Sequence, residues 1–389
     1  MAEAYIVSAT RTAGGRREGR LFGWHPVDLA AAVLDEAVAR AGVAPDAVDD
    51  VIMGCVGQVN EQGLHFGRNA VLASGLPESV PAVTIDRQCG SSQQAIHFAA
   101  QAVMSGVQDI VIAAGAESMS RVPMGQPGMW TKEPKAGSPT SPGIMANYPG
   151  MIFSQFTGAE MIADKWGLER ADLDAFAVES HRRAALATES GAFDAEILGL
   201  DIDVDGKIER HIHDEGIRAG ATLDSIGSVR TLLEGGKISA ANASQICDGA
   251  AAVMIVSEAA LREHNLTPLA RIHTMTVTGG DPVVMLEEPL FATDKALKRA
   301  GMNIGDIDLY EVNEAFAPVP MAWLKHTGGD HAKLNVNGGA IALGHPLGGS
   351  GAKLMTTLVH ALRARGLRYG LQTMCEGGGL ANVTIIEAL

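Results

Sequence analysis

Residues 334–351, LNVNGGAIALGHPLGGSG, lead into a run of helical apolar spacing from about Ala352 to Arg365, and then into residues 371–386, LQTMCEGGGLANVTII. The order is strand, loop of small residues, helix, strand, second loop of small residues. The same order occurs once before. Val83–Asp86 leads into Cys89-Gly-Ser-Ser, Ser91–Ser105 has helical spacing, and residues 109–119, DIVIAAGAESM, end in another small-residue turn. The recurrence predicts an internal duplication of an α/β unit. Strands alternating with helices predict parallel or mixed sheets with helical crossovers.

Working outward, Ala4–Ala9 reads as a strand, and Pro26–Ala41 as a helix stopped by Gly42. Val51–Val56 and Asp308–Val312 read as strands, and the alternation resumes from Ile272. The chain has 389 residues, more than one hydrophobic core of about 250–300 residues supports, so two core domains are expected. The middle differs. Arg121–Gly150 is rich in Pro, Gly, Met and Ser, and helical stretches follow near Gly158–Trp166 and Arg170–Ser190. The expected division is a first core domain over 1–117, completed by about 244–268, a loop domain over 118–243 that covers a site, and a second core domain over 269–389.

Composition narrows the function. Hydrophobic residues make up 47% and charged residues 19%, as in a folded globular protein. A formal net charge of −15 without a Lys/Arg run argues against nucleic acid and against an anionic membrane surface. An anionic small ligand would need a local basic patch or oriented amides. No run of ~18 apolar residues is present to insert in a membrane. The start, MAEAYIVSATRTAGG, reads as an immediate strand and not as a secretory leader. None of the four cysteines has C-x-x-C spacing, which argues against structural zinc and thioredoxin-like redox chemistry. A reducing cytoplasm with free thiols is expected.

Cys89 lies between a strand-like run and a helix, where the positive end of the helix dipole favours thiolate. A buried structural thiol is the competing reading. His345, in Gly344-His-Pro, is kept out of helix by Pro346 and sits among glycines, where a ligand and backbone amides can approach closely. A histidine beside a thiol can take its proton. The glycine run fits neither G-x-G-x-x-G nor G-x-x-x-x-G-K-[ST]. Cys375 begins Cys375-Glu-Gly-Gly-Gly, where a second thiol could shuttle a proton and Gly377 could offer its amide to an oxyanion. Asn313, after Asp308–Val312, could orient water or donate to an oxyanion. Cys55 and Cys247 have no such setting and read as structural.

These motifs together resemble the thiolase family nearly end to end: Cys89-Gly-Ser-Ser, Ala114-Gly-Ala-Glu-Ser-Met-Ser, Asn242-Ala-Ser-Gln with Asp248-Gly-Ala, Asn313-Glu-Ala-Phe, Asn337-Gly-Gly-Ala-Ile-Ala-Leu-Gly-His-Pro and Cys375-Glu-Gly-Gly-Gly. The resemblance implies a five-layer α-β-α-β-α sandwich of two duplicated core domains plus a loop domain over coenzyme A. It implies a homodimer or homotetramer acting on acyl-CoA, with coenzyme A as co-substrate and no permanently bound cofactor. Carried over, Cys89 is the acylated nucleophile and His345 its base. Asn313 completes the first oxyanion site through a water, Cys375 exchanges the second proton, and the amides of Cys89 and Gly377 form the second oxyanion site. Arg218 matches a position near the nucleotide. Ser225, Ala240 and Ser244 match the adenine and pantetheine path, and Ala315 and Phe316 lie near the pantetheine.

Two departures bear on the acyl chain. Phe153-Ser-Gln-Phe-Thr-Gly-Ala-Glu lacks the usual Met-Gly pair, and Glu376 replaces a small apolar residue. The expected reaction is thiolysis of 3-ketoacyl-CoA to acetyl-CoA and a shortened acyl-CoA, by a ping-pong route. Acetoacetyl-CoA-forming acetyl-CoA acetyltransferase and a thiolase-fold acyl-CoA or lipid carrier are the alternatives. A ketoacyl synthase or hydroxymethylglutaryl-CoA synthase fits less well, because Cys375, Asn313 and Gly344-His345-Pro346 occur together.

Overall fold

The computed structural model describes residues 2–132 and 137–389; part of the Arg121–Gly150 stretch, residues 133–136, lies outside the described residues. The first half runs β1 (Ala4–Thr12), α1 (Pro26–Ala41), β2 (Asp50–Gly54), α2 (Phe66–Ala73), β3 (Ala82–Ile85), α3 (Ser91–Ser105) and β4 (Ile110–Ser118). Helices α4 (Gln155–Lys165) and α5 (Arg170–Glu189) follow, and β5 (Cys247–Ser257) returns to the sheet. The second half runs β6 (Ala270–Gly279), α6 (Glu288–Ala300), β7 (Leu309–Val312), α7 (Pro318–Thr327), α8 (Ser350–Arg365), β8 (Tyr369–Glu376) and β9 (Leu380–Ala388).

Local chemistry sets these ends. Pro26 opens α1 behind a His25 ring that accepts from the Val27 amide, and Gly42 closes it at φ 71°. Val51–Val56 was expected as one strand, but β2 stops at Gly54. The next amides turn away from the ladder, those of Val56 and Gly57 onto the Glu117 carboxylate at 2.9 and 2.8 Å.

The sheet order is β7-β8-β9-β6-β1-β5-β4-β2-β3. In each half the first and last strands lie together, antiparallel, the strands between run parallel to one another, and β4 and β8 meet β5 and β9 antiparallel. The two β layers are continuous, joined where Tyr5 and Ile6 pair with Arg271 and Ala270. Helices α3 and α8 fill the space between the layers, packing apolar residues such as Ile96, Ala99, Met355 and Leu358 against both inner faces. Outside, α1 and α2 cover the first layer, and α6 and α7 cover the second. This is the five-layer arrangement.

One strand of the duplication is missing. The strand expected ahead of His345 is reduced to a single bridge between Tyr310 and Leu334. The cause is Asn335, whose backbone turns to φ 43°. Its side chain accepts from the Val312 amide and donates to the Val312 carbonyl, both at 2.9 Å, taking the place of the next backbone rung.

Candidate active site

The carboxyl ends of β3, β7 and β8 point to one place, together with the start of α3 and the loop before α8. Ligands in open α/β sheets bind at such ends. Cys89 follows β3 in a tight turn: Gln88 adopts φ 49°, and the Gly90 and Ser91 amides donate to the Arg87 and Gln88 carbonyls, both at 3.1 Å. Helix α3 begins just beyond, at Ser91.

His345 lies in the loop before α8, almost fully buried at 4% exposure. Its Nδ1 is 2.5 Å from Ser350 Oγ, and that hydroxyl donates to the Pro346 carbonyl at 2.9 Å. The hydroxyl has one hydrogen, so Nδ1 is the donor and Nε2 carries the lone pair. Nε2 faces Asn313 Nδ2 at 3.5 Å. Burial, and then Lys353 beside the loop, push the His345 pKa down to about 3, so the ring is neutral. Asn313 follows β7, and its Oδ1 is buried without a hydrogen-bond partner among the described residues.

Cys375 is fully buried in β8. Burial, then the Cys89 thiol, then Glu376 raise its pKa well above the ordinary value, so the two sulfurs influence each other. Gly377 follows β8 and packs against the Gln88 side chain of the Cys89 turn. The expectation that the helix end holds Cys89 as thiolate is corrected. The residue keeps partial exposure, yet desolvation, followed by Glu376, pushes its thiol up to about 12. Near neutral pH the resting pair is thiol and neutral imidazole.

A cavity of about 640 Å³ opens above His345, within the range of ligand sites, roughly 300–1,000 Å³. Arg218, Ala240, Ser244, Ala315 and Phe316 line it, as expected. Ser225 is not among the lining residues. It is exposed, and its hydroxyl closes a capping box with Thr222 at 2.9 and 3.1 Å. Sequence reasoning missed Arg16 and Arg17, which line the cavity with Arg218 and supply the basic patch an anionic ligand requires. No local motif marks either arginine. Gln155 and Phe156, from the departing Phe153–Glu160 stretch, also line it.

Two buried carboxylates inside the quoted motifs brace this site. Glu117 accepts from the amides of Val56, Gly57 and Gly348 and from Gln62 Nε2. Glu314 accepts from Ser180 Oγ, Asn335 Nδ2 and the Ile341 amide at 2.7, 2.9 and 3.1 Å. Both fix the loops that carry Asn313 and His345. Their presence in the motifs was the signal; their partners emerge only in three dimensions.

Known proteins resemble this chain over its whole length. Residues 4–259 match the model for the thiolase N-terminal domain and residues 266–388 that for the C-terminal domain. A steroid 3-ketoacyl-CoA thiolase of Mycobacterium tuberculosis is 49% identical over 391 residues, covering 100% of this chain and 95% of that protein. A 3-ketoacyl-CoA thiolase of Bacillus subtilis is 40% identical with 100% of each covered. Among solved structures, the acetyl-CoA acetyltransferase of Bacillus anthracis superposes with a TM-score of 0.91 at 37% identity, covering 100% and 99%. Human mitochondrial 3-ketoacyl-CoA thiolase in complex with CoA superposes with 0.88 at 35%, covering 100% and 98%.

Proposed function

The chain belongs to the thiolase family, and from that premise we propose that it cleaves 3-ketoacyl-CoA with coenzyme A, releasing acetyl-CoA and a shortened acyl-CoA. The observation that carries this reading is the neutral His345, its lone pair directed by Ser350 and its ring lining the cavity of about 640 Å³.

In the proposed route Cys89 attacks the 3-keto carbon while His345 Nε2 takes the thiol proton. The bond to the α-carbon breaks, and the acetyl-CoA enolate takes a proton from Cys375. Coenzyme A then gives its thiol proton to Cys375, attacks the acyl-Cys89 carbonyl and displaces the Cys89 thiolate, which takes its proton back from His345. The amides of Cys89 and Gly377 support one oxyanion. His345, with a water held by the unpartnered Asn313 Oδ1, supports the other. Neither step calls for a permanently bound cofactor.

Coenzyme A is assigned to the cavity under Arg218, with its phosphates toward Arg16 and Arg17 and its pantetheine along Ala240, Ser244, Ala315 and Phe316. Ser225 is kept at the outer, adenine end. The loop region about 118–243 forms the cover, and the core domains are 1–117 with about 244–268, and 269–389. A homodimer is supported by β3, whose outer edge is unpaired among the described residues and whose Val83 is 42% exposed. The apolar residues of the 121–153 region, including Ile152 at 83% exposure, support further pairing into a homotetramer. Free thiols and the absence, among the described residues, of a helix long and apolar enough to cross a membrane are consistent with a cytoplasmic setting. A degradative place, in fatty-acid β-oxidation or in the breakdown of a steroid-derived 3-ketoacyl-CoA, is in keeping with the names of the relatives.

The test is loss of 3-ketoacyl-CoA enolate absorbance on adding coenzyme A, across acetoacetyl-CoA, longer chains and a ring-bearing 3-ketoacyl-CoA. Faster cleavage of the longer or ring-bearing substrates supports the reading. Activity on acetoacetyl-CoA alone assigns the acetyltransferase role, and binding without cleavage assigns a carrier.

A further inference from the structure

Glu117 and Glu376 occupy corresponding places in the duplicated unit. Each stands near the end of the strand that follows its half's central helix, β4 for Glu117 and β8 for Glu376. Each reaches toward the loop before the other half's central helix: Glu117 to Gly348, ahead of α8, and Glu376 to Gly90, ahead of α3. Their surroundings are opposite. Glu117 has four hydrogen-bond donors. Glu376 is fully buried, and both its carboxyl oxygens lack a hydrogen-bond partner among the described residues.

The Glu376 carboxyl presses on the nucleophile's turn. A methyl group added at Gly90 would lie 1.8 Å from Glu376 Oε1, so only glycine fits next to Cys89 with this side chain present. The charged and titratable groups facing it come from each neighbouring element. Arg87 and Cys89 come from the turn, and Cys375 from its own strand. The Asn382 backbone amide faces it from β9. Arg87 forms no ion pair with it among the described residues, and Arg87 Nε is itself buried without a partner. Beyond the turn, Asp86 and Glu117 act on Cys89, and on α3 His97 feels Arg87.

A buried carboxyl with so little support from donors favours its neutral form. Burial pushes Glu376 up to about 8, against the pull of Arg87 and the Asn382 amide. When ionised, it is the foremost charge opposing thiolate at Cys89. Ionisation of one group therefore works against ionisation of the other.

We propose that Glu376 is a positioning residue that sets when Cys89 ionises: as a neutral acid it leaves the thiol free to lose its proton, and as an anion it opposes that loss. The proposal rests on the reading of Cys89 as nucleophile.

The experiment is alkylation of Cys89 by iodoacetamide in the full-length protein, followed by peptide mass from about pH 6 to about pH 10. Attack requires thiolate, so the logarithm of the rate rises with pH in unit slope unless the thiol's own pKa moves. In the wild type the line should flatten around pH 8, where Glu376 acquires its charge, and then resume. In Glu376→Gln it should stay straight. The variant should match the wild type near pH 6 and alkylate roughly tenfold faster near pH 10, the consequence of about one pKa unit. Glu376→Asp, which keeps a carboxyl, should keep the flattening. A straight line in the wild type, or a constant ratio between wild type and Glu376→Gln at every pH, overturns the proposal. The wild-type profile decides even if a variant does not fold. Full turnover in Cys89→Ala would instead overturn the nucleophile reading and leave the alkylation result standing.

Discussion

Glu117, at the end of β4 in the first half, accepts the amide of Gly348 in the second half at 2.9 Å. A single carboxylate thus ties the Cys55–Gly57 turn to the loop that carries His345. Glu117→Ala would leave the amides of Val56, Gly57 and Gly348 without a partner in a dry place, while Gln62 Nε2 keeps the Gly57 carbonyl at 3.0 Å. Stability should fall by about 3 kcal/mol, measured by denaturant melts. Turnover of the folded fraction should fall as well, because the loop loses its anchor. A variant with unchanged melting and turnover would remove Glu117 from this role.

Cys89→Ala should leave melting unchanged and lower thiolysis by roughly 10⁴-fold or more, as loss of a nucleophile does. Cys375→Ala should differ in kind. It should slow the first half-reaction, whose enolate Cys375 protonates, and stop the second, so that the acyl group formed on Cys89 persists and is visible by intact mass. Normal turnover in either variant would discard the two-cysteine route.

His345→Ala should slow acylation of Cys89 by roughly 10²–10⁴-fold, the usual reach of a general base, in a rapid-quench assay. The pH dependence in the wild type is equally specific. A base acts when neutral, and with its pKa lowered to about 3 from 6.5, His345 stays neutral through the mildly acidic range. kcat/KM should therefore show no inflection near 6.5 that vanishes in His345→Gln. Such an inflection would contradict the buried, neutral ring.

Arg218→Ala should raise KM for coenzyme A about three- to fivefold with kcat little changed, since the side chain is exposed and its charge is screened. Adding Arg17→Ala should compound the effect, and it should shrink at high salt. An unchanged KM in the double variant would move the nucleotide elsewhere on the surface.

Much of this was legible because small residues and prolines punctuate the chain. Gly42 and Pro26 bound α1, and Ser91–Ser105 was read with the observed ends. Cys89, His345 and Cys375 stood out because each leads from a strand-like run into a turn that contains glycine, and Asn313 because it follows the strand-like run Asp308–Val312. Other features depend on distant partners. The strand ahead of His345 is lost because Asn335 satisfies Val312 with its side chain. The state of Cys89 could not be read from the helix start alone, since burial and a carboxyl 287 positions later in the sequence outweigh the dipole. Arg16, in a short strand paired with Cys247, and Arg17 beyond it are brought beside Arg218 only by folding.

The site also has a history within each molecule's synthesis. Cys89 emerges from the ribosome long before Asn313, His345 and Cys375, and the groups from the two halves meet only when α3 and α8 pack together. Until then the nascent chain carries an ordinary thiol with no base to arm it. Dividing the machinery between the two ends of the polypeptide means that the base, the second thiol and the oxyanion donors reach Cys89 only in the completed fold.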